Sequence, residues 1–129
     1  MEQKTILLVE DDADLAECEM LYLRREGYRV ICANDGEIGL NEAIEYCPDL
    51  IILDLNLPSL PGEEVCKAIR EHDNEEIASI PIIMVTGKAS EVDRIVGRVV
   101  GANDYMVKPA DHKELSQKIK GLLDKSLSV

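Results

Sequence analysis

The stretch Asp49-Leu50-Ile51-Ile52-Leu53-Asp54-Leu55-Asn56-Leu57-Pro58 constrains the fold more than any other. Four apolar residues in succession, without polar alternation, suit a strand covered on both faces, as in the middle of a parallel sheet. The run ends on an acid and a proline soon follows, so Asp54 falls where the strand leaves the sheet. Open α/β sheets gather their chemistry at the carboxyl ends of strands. Taken alone, a strand-end aspartate is equally well explained as a loop cap. The other strand ends decide the matter.

Thr5 to Val9 reads as a first buried strand running into Glu10-Asp11-Asp12. A helix from about Ala13 to Glu26 follows, with Ala16, Met20 and Leu23 at helical spacing and Gly27 placed to end it. Arg29 to Ala33 is a short second strand. A second helix, capped by Asn34 or Asp35, carries Ile38, Ala43, Ile44 and Cys47 before Pro48 stops it. After the central strand, Pro58-Ser59-Leu60-Pro61-Gly62 is a turn by composition, and a third helix runs from about Glu63 to Glu71. His72 to Ser79 is charged and reads as an exposed connection. Ile80 to Val85 is a further buried strand ending at Thr86-Gly87. Ser90-Glu91-Val92-Asp93 matches a capping box for a fourth helix that Gly101 can close. Asp104 to Val107 is a short fifth strand leading to Lys108-Pro109. In the last helix, capped by Asp111, Leu115, Ile119, Leu122 and Leu123 form one stripe.

Strands alternating with helices in this way call for an α/β fold, a parallel sheet with helices on both faces. With 129 residues and no internal repeat or linker-like stretch, the chain reads as one domain, able to bury roughly two-thirds of its unfolded surface. The core must be aliphatic, because the aromatics are four tyrosines with no Phe or Trp, and that also disfavours a stacking platform for single-stranded nucleic acid. A net charge of −12 disfavours direct nucleic-acid or anionic-membrane binding by this domain. No apolar run approaches a membrane span and no signal peptide is found. Cys18, Cys32, Cys47 and Cys66 show no C-x-x-C pairing and sit in apolar patterns, so they read as buried free thiols of a cytoplasmic protein.

Glu10 with Asp11, Asp54, Thr86 and Lys108 would then meet along one edge of the sheet. Clustered carboxylates repel unless protons or a cation neutralise them. An all-oxygen donor set favours a hard cation, and Mg²⁺ commonly binds one or two carboxylates together with a phosphate. A carboxylate nucleophile, a metal, an ammonium and a hydroxyl make a phosphoryl-transfer kit. Each group has an ordinary explanation too: Asp11 or Asp12 as a helix N-cap, Lys108 as a solvated lysine, Thr86 as a β-branched strand residue. Their joint placement at four strand ends is what argues for function.

The sequence here resembles the receiver (CheY-like) domain of two-component response regulators, most closely the receivers of DNA-binding regulators. The resemblance is carried by Leu7-Leu8-Val9-Glu10-Asp11-Asp12, Pro48 to Asp54, Pro58 to Gly62, Val85-Thr86-Gly87 and Gly101 to Pro109. It implies a flavodoxin-like, doubly wound five-stranded sheet in the order 2-1-3-4-5 with five helices. Residues 1–125 would form the receiver domain, and 126–129 a tail or the start of a linker. The resemblance makes Asp54 the phosphoacceptor, charged by a sensor histidine kinase or histidine phosphotransfer protein. Asp11, Asp54 and the Asn56 carbonyl would bind Mg²⁺, with Glu10 acting mainly through water. Lys108 would hold the phosphoryl group beside a cis bond to Pro109, and Thr86 and Tyr105 would form the switch pair. Arg94, Asp104, Glu114 and Lys118 resemble charges through which such domains form homodimers across the fourth helix, fifth strand and last helix. Solvated helix charges are the alternative for these four.

Several positions depart from the family pattern. Pro61 stands where an acid or small polar residue is common, Ala110 replaces a frequently bulky residue, and Lys88 lies at a position that tunes phosphoryl lifetime. His72 and His112 read as surface residues. The expected function is a phosphorylation-dependent signalling switch, not an enzyme. Two alternatives remain open: a Mg²⁺-dependent phosphohydrolase using Asp54, against which Asn56 replaces the second acid expected there, and a phosphorylation-independent binding module.

Overall fold

The computed structural model describes residues 3–87 and 90–127, with residues 125–127 by backbone alone. The anticipated role of Lys88 and the last two residues of the anticipated tail lie outside the described residues. Five strands, β1 (Thr5–Val9), β2 (Arg29–Ala33), β3 (Leu50–Leu53), β4 (Ile82–Thr86) and β5 (Asp104–Val107), form one sheet. All pairings are parallel and the order is β2-β1-β3-β4-β5. The helices are α1 (Ala13–Arg25), α2 (Gly36–Tyr46), α3 (Gly62–Arg70), α4 (Glu75–Ala78), α5 (Glu91–Val99) and α6 (His112–Leu127). Five helices were expected and six are found among the described residues. The extra one, α4, is a single turn within the charged segment after α3, started by the Asn74 side chain accepting the Glu76 N–H at 2.9 Å. Its one buried apolar residue, Ile77, is too little to produce a helical period in the sequence.

Strand alternation divides the core in two. Leu7, Val9, Ile51, Leu53, Ile82 and Met84 face a layer that includes Ala43 of α2 and Val65, Cys66 and Ile69 of α3. Ile6, Leu8, Leu50, Ile52, Ile83 and Val85 face Leu23 of α1 and Leu115, Ile119 and Leu123 of α6. Every residue of β3 is buried, because helices cover both sides of it. The continuous apolar run was a sound signal of a central strand.

Local chemistry places the helix ends. Asp12 Oδ1 accepts the N–H groups of Asp14 and Leu15, Asp35 accepts that of Ile38, and Ser90 that of Asp93. Gly27 and Gly101 close α1 and α5 at φ +97° and +111°, where a side chain would be strained.

Two expectations about side chains are corrected. In α2 the inward residues are Gly36, Gly39 and Ala43, whereas Ile38 and Ile44 are exposed. A Cβ on Gly39 would lie 2.8 Å from Val9 Cγ1, so α2 docks closely through small residues and its larger ones turn outward. Of the four cysteines, all free, only Cys66 is buried; Cys18 and Cys32 are exposed and Cys47 is intermediate. Cys18 lies on the outer side of α1 and Cys32 on the edge strand β2, positions that an apolar neighbourhood in sequence does not distinguish from the core. Burial pushes the Cys66 thiol up to about 11, which keeps it protonated. His72 and His112 are half-buried, and His112 stacks on Tyr22 with ring centroids 4.4 Å apart.

Candidate functional site

Glu10, Asp54 and Lys108 are each the first residue beyond a strand, and each backbone remains tied to the neighbouring strand. Glu10 N–H donates to Ala33 O at 3.0 Å, Asp54 N–H to Val9 O at 3.1 Å and Lys108 N–H to Thr86 O at 2.8 Å. The sheet therefore positions these side chains, although all three lie formally in loops. They meet at its carboxyl edge, where β1 and β3 adjoin and the chain's winding reverses, the usual place for a ligand in such folds.

Lys108 joins the two buried acids. Its Nζ lies 2.6 Å from Glu10 Oε1 and 2.8 Å from Asp54 Oδ2. The remaining oxygens take backbone donors: Asp12 N–H to Glu10 Oε2 at 3.2 Å, and Asn56 N–H to Asp54 Oδ1 at 3.2 Å. Asp11 is exposed and takes no side-chain partner among the described residues. Asp12 serves as the helix cap, so of the two acids considered for capping, Asp11 is left to face the site. One oxygen each from Glu10, Asp11 and Asp54 lie within 4.8 Å of one another.

Burial raises the Glu10 carboxyl above its ordinary range, against the pull of Lys108. Burial also weakens the Lys108 ammonium, but its bonds to Asp54 and Glu10 outweigh that, and it titrates above its usual value. Three carboxylates around a single ammonium leave excess negative charge. The donor set is all oxygen, which fits a divalent hard cation such as Mg²⁺.

Thr86 is fully buried at the end of β4. Tyr105 is paired with Met84, two residues before Thr86, so Thr86 and Tyr105 share a face of the sheet. Tyr105 is partly buried, with its hydroxyl raised by desolvation, and the Arg94 guanidinium lies 5.6 Å from its ring centre. Arg94, Asp104, Glu114 and Lys118 line one groove of about 360 Å³ between α5 and α6. Within it Lys118 Nζ reaches Asp104 Oδ2 at 2.9 Å, and Glu114 is exposed. The Lys108–Pro109 bond is cis.

The response regulator receiver domain family matches residues 6–120 of this chain. The chain belongs to that family. Among the curated relatives it resembles, the alkaline phosphatase synthesis transcriptional regulatory protein PhoP of Bacillus subtilis is 42% identical over 123 residues, 95% of this chain and 50% of that protein. The response regulator ArlR of Staphylococcus aureus is 44% identical over 118 residues, 92% of this chain and 52% of ArlR. The chain thus spans about half the length of these curated relatives. A solved receiver domain, that of sensor histidine kinase PA1611 from Pseudomonas aeruginosa, superposes with a TM-score of 0.86 at 32% identity, covering 95% of this chain and 99% of that one. That structure holds a magnesium ion coordinated in its active-site cleft. Receiver domains of response regulators partner with histidine kinases and are not classical enzymes.

One residue beside the receiver site escaped the sequence reading. Glu19, on the inward side of α1, is only 3% exposed. Burial first, then the charge of Glu10, pushes its carboxyl up to about 7. The signal was present: Glu19 stands three residues after Ala16 and four before Leu23, on the face those two bury.

Proposed function

We propose that this receiver is a phosphorylation-driven switch in which Asp54 takes a phosphoryl group from a phosphohistidine of a sensor kinase or phosphotransfer protein. A carboxylate oxygen of Asp54 attacks phosphorus, the P–N bond breaks, and an acyl phosphate forms while the leaving imidazole takes a proton from solvent. The observation that carries this reading is the Lys108 ammonium bonded to Asp54 at 2.8 Å, with Glu10 and Asp11 beside it.

Asp11 and Asp54, with the Asn56 carbonyl and with Glu10 through water, are the residues to hold Mg²⁺, the ion present in the solved PA1611 receiver. When bound, the ion offsets charge on the transferring phosphoryl oxygens. Lys108 supplies the second positive charge and a hydrogen bond to the product. Thr86 provides a hydroxyl to a phosphoryl oxygen, and Tyr105 follows into the space that Thr86 leaves.

The added charge of roughly −1.5 to −2 biases the face formed by α5, β5 and α6. Homodimerisation through that face, with Arg94, Asp104, Glu114 and Lys118 contributing, is the proposed consequence. The product of the reaction is the domain's own altered conformation, so the chain works as a switch rather than an enzyme. The switch is built from the elements β1 to α6, and because α6 runs to Leu127 the anticipated boundary at residue 125 falls inside that helix. A cytoplasmic location follows from partnership with kinases there. The net charge of −12 argues against direct nucleic-acid contact by this domain.

The test is phosphoryl incorporation from phosphoramidate with MgCl₂, read by intact mass and acid lability. Wild type gains a single labile phosphoryl group, and Asp54→Asn gains none. Incorporation by Asp54→Asn at wild-type stoichiometry refutes the assignment.

A further inference from the structure

Arg70, the last residue of α3, is bound by neutral oxygens at the edge of the sheet opposite the carboxylates. Its Nε donates to Gly101 O at 2.9 Å, Nη1 to Ala78 O at 2.9 Å and Ile80 O at 2.7 Å, and Nη2 to Asn103 Oδ1 at 2.8 Å. No carboxylate forms an ion pair with it among the described residues. Asn103 extends the network, since its Oδ1 also accepts Ile82 N–H at 2.8 Å and its own N–H donates to Ile82 O at 2.8 Å. One planar, rigid group therefore fastens together the end of α3, the approach to β4 and the turn from α5 into β5.

The same turn is held twice more. A Cβ on Gly101 would lie 2.7 Å from Arg70 Cγ, so the arginine stem lies directly against the backbone that closes α5. One helical turn earlier on α3, the Cys66 thiol lies 3.4 Å from Val100 O. The other end of α5 is different. Ser90 caps the helix through Asp93, a bond within the element itself. Val92 and Ile95 are 68% and 58% exposed, and Gly97 is the helix's only buried residue among those described. Exposure is high along the whole helix, Val99 included at 79%, so what sets the Val99–Asn103 end apart is its bonding to Arg70 and Cys66 of α3.

We propose that Arg70 is the pivot of α5, a positioning residue that holds the Val99–Asn103 turn still while the Ser90 end of the helix responds to Asp54. This rests on the switch reading above, and it specifies which end of the output helix moves. A loose turn would let α5 drift as a whole and dissipate the displacement started at Thr86 and Tyr105. The pivot's partners, Ile80, Ile82 and Asn103, precede or begin their strands, whereas the acids follow theirs, so altering Arg70 leaves the phosphoryl site intact.

Hydrogen–deuterium exchange on this chain, with and without beryllofluoride and MgCl₂, tests the proposal. In wild type, amides of residues 91–95 change on beryllofluoride addition and those of 97–103 stay protected. Arg70→Lys keeps the charge but cannot reach four oxygens. It should incorporate phosphoryl groups normally, lose about tenfold protection at 97–103, and show a reduced response at 91–95. An undiminished response in Arg70→Lys overturns the pivot alone, and so does wild-type exchange at 97–103 that changes as much as at 91–95. If Arg70→Lys fails to fold, the wild-type comparison decides. A wild-type chain silent in both segments overturns the switch reading and the pivot with it.

Discussion

Lys108 Nζ stands 2.8 Å from Asp54 Oδ2, on the oxygen opposite the one that takes the Asn56 N–H. The proposed phosphoacceptor is therefore already paired with a cation of the protein's own. That pairing offsets the burial of a carboxylate that is 4% exposed and lies beside a second acid. It also places Lys108 in competition with any metal for the same charge.

Removing the lysine should make the domain depend on divalent cation. Leaving Glu10 and Asp54 buried without an ammonium destabilises by about 1–3 kcal/mol, below the usual figure for a fully buried pair because Lys108 is partly solvated. Mg²⁺ then binds only the native cluster and restores part of the loss by linkage. Melting temperatures of wild type and Lys108→Ala, each with and without MgCl₂, should show the larger metal-induced rise in the variant. Equal rises would mean that lysine and metal do not share these carboxylates.

Glu19 makes stability fall as pH rises. Its carboxyl is raised from 4.5 to about 7, so across that window the native state holds a proton that the unfolded chain has released. The native state is thereby penalised progressively, by on the order of 3 kcal/mol above the upper value. Glu19→Gln mimics the protonated form and escapes the penalty. Urea midpoints should show the variant well above wild type at about pH 8 and close to it at about pH 5. A difference that does not vary with pH rules out this account of Glu19.

The sheet and the carboxylate edge were legible because period and position carry them. A four-residue apolar run is hard to place anywhere but in a central strand, and the first residue after each strand could be counted off directly. Asp11 and Asp12 were not separable, since either can cap a helix; the backbone of α1 selects Asp12. The α2 face was misjudged because large apolar residues were weighted over glycines, whereas Val9 leaves room only for small ones. Arg70 left no trace in the pattern. A helix-terminal arginine reads as solvated, and its acceptors are backbone oxygens that no residue type announces.

Gly62 holds the turn after Asp54 against its own strand end. A Cβ there would run into Asp54 O and lie 2.8 Å from Leu55 Cα, both backbone atoms that cannot swing aside. Gly62→Ala should cost about 1–3 kcal/mol or more and slow phosphoryl incorporation by displacing Asp54. Gly121→Ala, within α6 and with open space around its Cβ, should instead stabilise by about 0.5–1 kcal/mol and leave incorporation unchanged. Chemical denaturation with parallel incorporation rates separates the two. Wild-type rates in a destabilised Gly62→Ala would show that the contact is structural only.

The exposed side of α5 offers apolar surface to the proposed dimer. Val92, Ile95 and Val99 are 68%, 58% and 79% exposed, and Arg94 on the same helix borders the groove that holds Asp104, Glu114 and Lys118. Asp104 and Lys118 already bond each other within the chain, so exchanging that bond for one across an interface brings little net attraction. The apolar residues supply the larger part, at about 25 cal/mol per Å² removed from water. Ile95→Asp should therefore leave the melting temperature of the monomer nearly unchanged, because the side chain is already solvated. It should also abolish the beryllofluoride-induced dimer in sedimentation velocity, with Asp54 phosphorylation retained. Asp104→Asn should weaken that dimer less than Ile95→Asp does. If Asp104→Asn has the greater effect, charge rather than apolar area holds the two copies together.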